Sequence, residues 1–188
     1  GALAQTSLKR IFAYSSVAHS GYILVSLIAL AVDDTFFGTN TEALLLYLLG
    51  YGLFSVGTFG FLSFIENKPE DDIHVDSLRG FFYKSPWVAI GLSFCLLGLA
   101  GIPPTLGFFT KFYIFSSALN EGFYWLVIWA LINSVIGVYY YLKPIVYMFF
   151  YTDEQDLKCT DYSFQKIIFL SVAFVSLTGG IFLPMFLN

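Results

Sequence analysis

Apolar residues run along this chain in long stretches separated by short polar clusters. Residues 11 to 32, 43 to 65, 85 to 110, 122 to 142 and 167 to 188 carry no Asp, Glu, Lys or Arg. A helix needs roughly 20 predominantly apolar residues to cross the hydrocarbon core, and these stretches reach or approach that length. The pattern predicts an all-α membrane protein that crosses the bilayer several times.

Turn and capping residues set the boundaries. Thr6 or Ser7 caps a helix from about 8 to 32, which stops at the turn-forming cluster DDTFFGTN. A second helix runs from about 41 to 65. Its small residues Gly52, Ser55, Gly57, Gly60 and Ser63 are spaced so that several share a face open to a neighbouring backbone. The connection 66 to 86 is the longest polar segment, and its second half, VDSLRGFFYKSP, mixes aromatic and basic residues as an interfacial piece does.

Residues 87 to 101 and 105 to 119 are apolar segments of 15 residues each. Such a helix is roughly 22 Å long against a core of about 30 Å, so each is short or interrupted. Residues 122 to 142 span unaided. Lys143 then marks the exit, Pro144 bends the chain, and IVYMFFY is expected along the interface, with Tyr139, Tyr140 and Tyr141 in an aromatic belt. The last span covers 164 to 187, with Lys166 at its entrance. The whole, 1 to 188, reads as a single membrane domain of about six apolar segments with polar loops at 66–86 and 152–163.

Composition agrees: 12% of residues are charged, where a soluble domain carries about a quarter. The net charge of -4 comes largely from the two polar loops, so it describes solvated connections and points to lipid, not nucleic acid, as the surroundings. Cys95 and Cys159 are too few and too far apart for a metal or iron–sulfur site. The first apolar stretch exceeds the roughly 7 to 15 residues of a signal-peptide core and is read as a mature span. No glycine-rich phosphate loop, nucleophile with a base or two-histidine metal pair is present, which argues against a self-contained enzyme.

Chemistry concentrates at LAGIPPTLGFFTKFYIF. Pro103 and Pro104 have no amide hydrogen, so the carbonyls of Leu99 and Ala100 lose their helical donors, and Gly101 and Gly107 loosen the backbone. Non-helical backbone at membrane depth is tolerated where protein buries it or water reaches it, and transporters place ion sites at such breaks. Lys111 follows Pro104 by seven residues, about 10 Å along a helix, too deep to snorkel out. A lysine at a helix centre costs about 2.5 to 3.5 kcal/mol on insertion scales, so it should face the protein interior. An ionisable group beside a hydrated break is what a proton relay requires; the alternative is a fixed ion pair with a carboxylate on a neighbouring helix. His19, among Ser15, Ser16 and Ser20, is the second candidate proton carrier; its alternative is a neutral imidazole satisfied by a nearby hydroxyl. Asn133 and Ser134 read as interhelical hydrogen-bonding groups, and Lys9, Arg10, Lys84 and Lys143 as surface anchors.

Three stretches, ALAQTSLKRIFAYSSVAHSGYI, LAGIPPTLGFFTKFYIF and SVIGVYYYLKPIVYMFF, resemble the antiporter-like membrane subunits of respiratory complex I, in their subunit 2 or N-type branch. The resemblance covers residues 2 to about 151 and implies helices nine to fourteen of that fold: its second five-helix repeat plus the last helix. It implies that Lys111 is the proton-transferring lysine of a discontinuous twelfth helix, with Gly101, Pro103, Pro104 and Gly107 forming the break and His19 as a relay. It further implies a proton-translocating subunit of NADH:ubiquinone oxidoreductase with no redox site or cofactor of its own. Flavin and iron–sulfur clusters are then expected in other subunits, the partners are other complex I membrane subunits and lipids, and the location is the mitochondrial inner membrane or a bacterial plasma membrane. The chain opens without a methionine, which implies either processing or a missing upstream part, and no intramembrane carboxylate is seen. Because the resemblance has the chain open on helix nine, a separate chain is expected to supply the N-terminal half. A sodium/proton antiporter subunit and a structural scaffold remain the alternative functions.

Overall fold

The computed structural model describes residues 1–32, 39–65, 73–151 and 163–186. They fold into seven α-helices: α1 Leu8–Val32, α2 Thr39–Ile65, the short α3 Phe81–Lys84, α4 Pro86–Ala100, α5 Leu106–Asn120, α6 Tyr124–Phe150 and α7 Ser163–Phe186. All six apolar segments are therefore helical. The connections 33–38, 66–72 and 152–162 and the side chain of Lys166 lie outside the described residues.

The contacts along α2 show how α4 and α5 are arranged. A Cβ added to Gly57 would meet Cys95, one on Gly98 would meet Phe54, and one on Gly50 would meet Thr110. Asn40, at the start of α2, bonds Glu121, just past the end of α5. Falling numbers on α2 thus match rising numbers through both short helices. α4 and α5 lie in series and make one interrupted crossing, antiparallel to α2. Two apolar clusters form the core, one around Leu96, Phe54 and Tyr141 and the other around Tyr47, Ile114 and Val127, and the break falls where they meet.

The break is held by close backbone approach. Gly101 sits at φ +76°, a left-handed conformation that L side chains rarely adopt, and ends α4 with its N–H donating back to Leu97 O. A Cβ on Gly107 would lie 1.8 Å from Gly98 O, and one on Gly180 would lie 1.9 Å from Pro104 O. The first turn of α5 and the middle of α7 therefore press directly on the backbone of the break.

Three expectations change. First, α6 does not stop near 142: it continues through Pro144 to Phe150, so IVYMFF is helical and Tyr151 lies just past its end. Proline removes only the donor to the Tyr140 carbonyl, and both Pro144 and Met148 are buried. Second, Tyr139, Tyr140 and Tyr141 do not share a belt. Consecutive helical residues point about 100° apart, and Tyr139 is 59% exposed while Tyr140 and Tyr141 are 7% and 1% exposed. Third, the described part of the connection 66 to 86 tucks under the bundle. Ile73, Val75, Leu78 and Phe81 are buried, Leu8 N–H donates to Ile73 O at 2.9 Å and Val75 N–H donates to Thr6 O at 2.8 Å. Arg79 lies over the rings of Tyr147 and Tyr151, at 5.5 and 5.0 Å. Of the small residues on α2, Gly57 makes the close contact expected of it, whereas Gly52 and Gly60 face open space.

Gly107→Ala forces two backbones apart and is expected to destabilise the protein by roughly 1–3 kcal/mol, as overpacking does. Gly52→Ala, with nothing within 4 Å, is the matched control. Melting temperatures of the two detergent-solubilised variants check this: equal values would refute the account of the α4–α5 contact.

Candidate functional site

In an uninterrupted helix the carbonyls of Leu99 and Ala100 would accept from residues 103 and 104, and both are proline. The preceding carbonyls are satisfied locally. Gly101 N–H reaches Leu97 O at 2.9 Å and Gly98 O at 3.1 Å, and Ile102 N–H reaches Leu97 O at 3.1 Å. Lys111, about one and a half turns into α5, supplies the missing donors. Its Nζ donates to Leu99 O at 2.8 Å and to Ala100 O at 3.0 Å. A third bond runs to Ser134 Oγ on α6 at 3.2 Å. Three oxygens thus meet the three N–H bonds of an ammonium. The Nζ also lies 5.4 Å from the centre of the Tyr22 ring. The residue is 7% exposed, and among the described residues no carboxylate pairs with it.

His19 forms a second centre, 3% exposed, where α1 meets α2 and α6. Its Nδ1 lies 2.6 Å from Tyr47 Oη and its Nε2 lies 3.0 Å from Tyr141 Oη, while Tyr51 stacks on the ring at 4.6 Å. A neutral imidazole has one donor and one acceptor nitrogen, so one tyrosine donates and the other accepts. Either tautomer fits this bridge without movement of the ring, because each tyrosine hydroxyl can turn to donate or to accept.

Cavities flank the lysine. A small one of about 10 Å³ is lined by His19, Tyr47, Tyr51, Leu99, Thr110 and Lys111. That is close to one water's worth of space. A larger one of about 240 Å³ lies on the α5–α6 side, lined by Lys111, Ser116 and Ser134 among Phe108, Phe112 and Leu131. Lys111 thus borders a cavity on either side of its carbonyl seat.

The residues expected at the helix break and its proton carriers lie close together. Gly101, Pro103 and Pro104 make the break, Gly107 seats α5 against α4, and His19 shares the small cavity with Lys111. Asn133 bonds across helices as expected, to Tyr22 Oη at 3.2 Å, whereas Ser134 bonds the lysine itself. Sequence reasoning missed Tyr22, Tyr47 and Tyr141. One signal was present: Ser15, His19, Tyr22 and Ser26 fall on one stripe of α1, and all four are buried.

Residues 1–137 match the family described as NADH:quinone oxidoreductase/Mrp antiporter, transmembrane. The chain is 50% identical over 149 residues to NADH-quinone oxidoreductase subunit N of Bdellovibrio bacteriovorus, covering 79% of this chain and 30% of that protein. It is 38% identical over 181 residues to the subunit N of Syntrophotalea carbinolica, covering 96% of this chain and 38% of that protein. The chain thus spans about a third of the length of these relatives. Respiratory complex I from Thermus thermophilus with bound aureothin superposes with a TM-score of 0.83 at 29% identity, over 97% of this chain and 40% of the other. The Mrp complex of a Dietzia species shares the fold, with a TM-score of 0.78 at 20% identity over 100% of this chain and 42% of the other.

Tyr141→Phe strands His19 Nε2 in the core and is expected to cost about 1–3 kcal/mol. Tyr139→Phe, on the exposed face, should stay within about 0.5 kcal/mol of the parent. Thermal unfolding of both variants in detergent tests this, and a Tyr141→Phe protein as stable as the parent would refute the imidazole bridge.

Proposed function

The chain belongs to the NADH:quinone oxidoreductase/Mrp antiporter transmembrane family, and from that premise we propose that it is the proton-translocating C-terminal part of an N-type subunit in the membrane arm of NADH:quinone oxidoreductase. One observation carries the reading: a buried lysine held, among the described residues, by three neutral oxygens at an interrupted helix, with a cavity on either side.

The seat fits an ammonium. When Lys111 gives up a proton it keeps two N–H bonds and gains a lone pair, and one of the oxygens around it then faces that lone pair. The amine is no longer matched to its seat and turns toward one of the flanking cavities. Reprotonation restores the three bonds. The two protonation states thus prefer different positions, which is what directional transfer requires. His19 extends the path: with Tyr47 on one nitrogen and Tyr141 on the other it passes a proton by accepting on one side and releasing on the other.

Electron transfer belongs to other subunits on this reading, and flavin and iron–sulfur clusters lie there. Redox events in those subunits shift charges near Lys111 and bias it between ammonium and amine. The partners are the neighbouring membrane subunits and lipid. The bacterial origin of the relatives favours a bacterial plasma membrane over the mitochondrial inner membrane. The shared Mrp fold supports a second reading, a sodium/proton antiporter subunit, which predicts sodium-dependent proton flux without electron transfer and without copurifying flavin or iron–sulfur subunits.

Lys111→Met in the assembled complex is expected to remove most proton uptake per NADH oxidised. The measurement is fluorescence quenching of a pH-sensitive dye in membrane vesicles against the NADH oxidation rate, with assembly checked on native gels. An unchanged ratio in a fully assembled complex would mean that this chain serves as a scaffold.

A further inference from the structure

Asn133 and Ser134 are consecutive on α6, and they reach two different elements of the same centre. Ser134 Oγ accepts from Lys111 Nζ at 3.2 Å, and Asn133 Nδ2 donates to Tyr22 Oη on α1, also at 3.2 Å. Tyr22 is 4% exposed, and Lys111 Nζ lies over its ring, 5.4 Å from the centre. The ring is fixed on two further sides. It makes T-shaped contacts with His19 at 5.7 Å and with Phe115 at 5.6 Å, and these two residues line the small and the large cavity beside the lysine. The bridge of His19, Tyr47 and Tyr141 leaves this ring unused.

An aromatic face is the negative side of a quadrupole, so it attracts a full positive charge and gains little from a neutral amine. The carbonyls of Leu99 and Ala100 and the hydroxyl of Ser134 accept an N–H bond from either form. The ring adds an attraction that is present in one protonation state and absent in the other. The ionisable groups packed around Lys111 leave that attraction unmasked. His19 on α1 and Tyr47 and Tyr51 on α2 face it across the small cavity, as a neutral imidazole and neutral phenols. α4 presents its two carbonyls, with Cys95 turned to Gly57 of α2, and α6 presents Ser134, with Tyr141 bound to His19. The described side chains of α7 include no ionisable group.

We propose that Tyr22 sets the charge preference of Lys111 by holding its ring beside the ammonium, and that Asn133 is the positioning residue that keeps the ring there. This rests on the reading of Lys111 as a proton carrier. The pair fixes the pH above which the lysine no longer holds the proton it has to hand on. Neither residue carries that proton: Tyr22 Oη accepts from Asn133 and keeps its own O–H bond throughout. One turn of α6 thus anchors both a hydrogen bond to Lys111 and the ring beside it.

The test uses the assembled complex in membrane vesicles and follows proton uptake per NADH oxidised across a series of pH values. Tyr22→Leu removes the ring, so the amine forms at lower pH and the alkaline limb of the profile is expected to move down by roughly one pH unit. Tyr22→Phe keeps the ring and restores most of the native profile. Asn133→Ala moves the limb the same way by less, and adds nothing to Tyr22→Leu, because it acts through the ring. Phenylalanines of increasing ring fluorination in place of Tyr22 weaken the quadrupole with little change in size, and the limb is expected to step down along that series; they decide where Tyr22→Leu fails to assemble. A purely structural role lowers uptake at every pH alike and leaves the limb in place. If that is the result while Lys111→Met stops pumping, the assignment to Tyr22 is wrong and the reading of Lys111 stands. If Lys111→Met pumps at the native ratio, both fall.

Discussion

The structure depends on one exchange between backbone and side chain. Two adjacent prolines remove the donors for the carbonyls of Leu99 and Ala100, and a lysine returns from the next helix to bond both. Neither feature is tolerable alone in a bilayer. Bare carbonyls at membrane depth each cost several kcal/mol, and a lone ammonium is expensive in hydrocarbon. Together each satisfies the other, so the most costly backbone and the most costly side chain sit at the same point. The ammonium is held by dipoles and not by an opposite charge. It therefore keeps a freedom to lose its proton that a close ion pair would oppose.

The rest of the bundle holds that point in place. α2 runs past both half-helices and meets each in turn, through Gly57 and Cys95, Phe54 and Gly98, and Gly50 and Thr110. α7 brings Gly180 against the Pro104 carbonyl, and α6 brings Ser134 to the lysine. Glycine is required at Gly101 for its backbone angle and for room as well, since a Cβ there would lie 2.9 Å from Lys111 Cδ. Small residues here permit an interrupted crossing inside the membrane, whereas Gly52, on the open side of α2, meets no neighbour.

Much of this was legible in the sequence because it rests on local chemistry. The missing amides of Pro103 and Pro104 name the stranded carbonyls, and the depth of Lys111 follows from counting residues. The helices were found from apolar length, and their ends from Pro, Gly and Asp. Which residues meet was not legible. In a soluble helix the polar side marks the surface, but here both faces of each helix are apolar, so hydrophobic periodicity does not separate inside from outside. For this reason Tyr139, Tyr140 and Tyr141 read alike, though one faces outward and two are packed inside. The partners of His19 come from residues 28 and 122 positions away, beyond any local pattern. Pro144 does not mark a helix end for a related reason: the lost donor is a local signal, and α6 continues past it with Pro144 and Met148 buried.

The connection under the bundle has a mechanical consequence. Ile73 and Val75 are stitched to the start of α1, and Arg79 grips the aromatic end of α6. That rim acts as a fulcrum: helices fastened together there tilt by the smallest amplitude near the fastening and by the largest at the far end, where Asn40 and Glu121 lie.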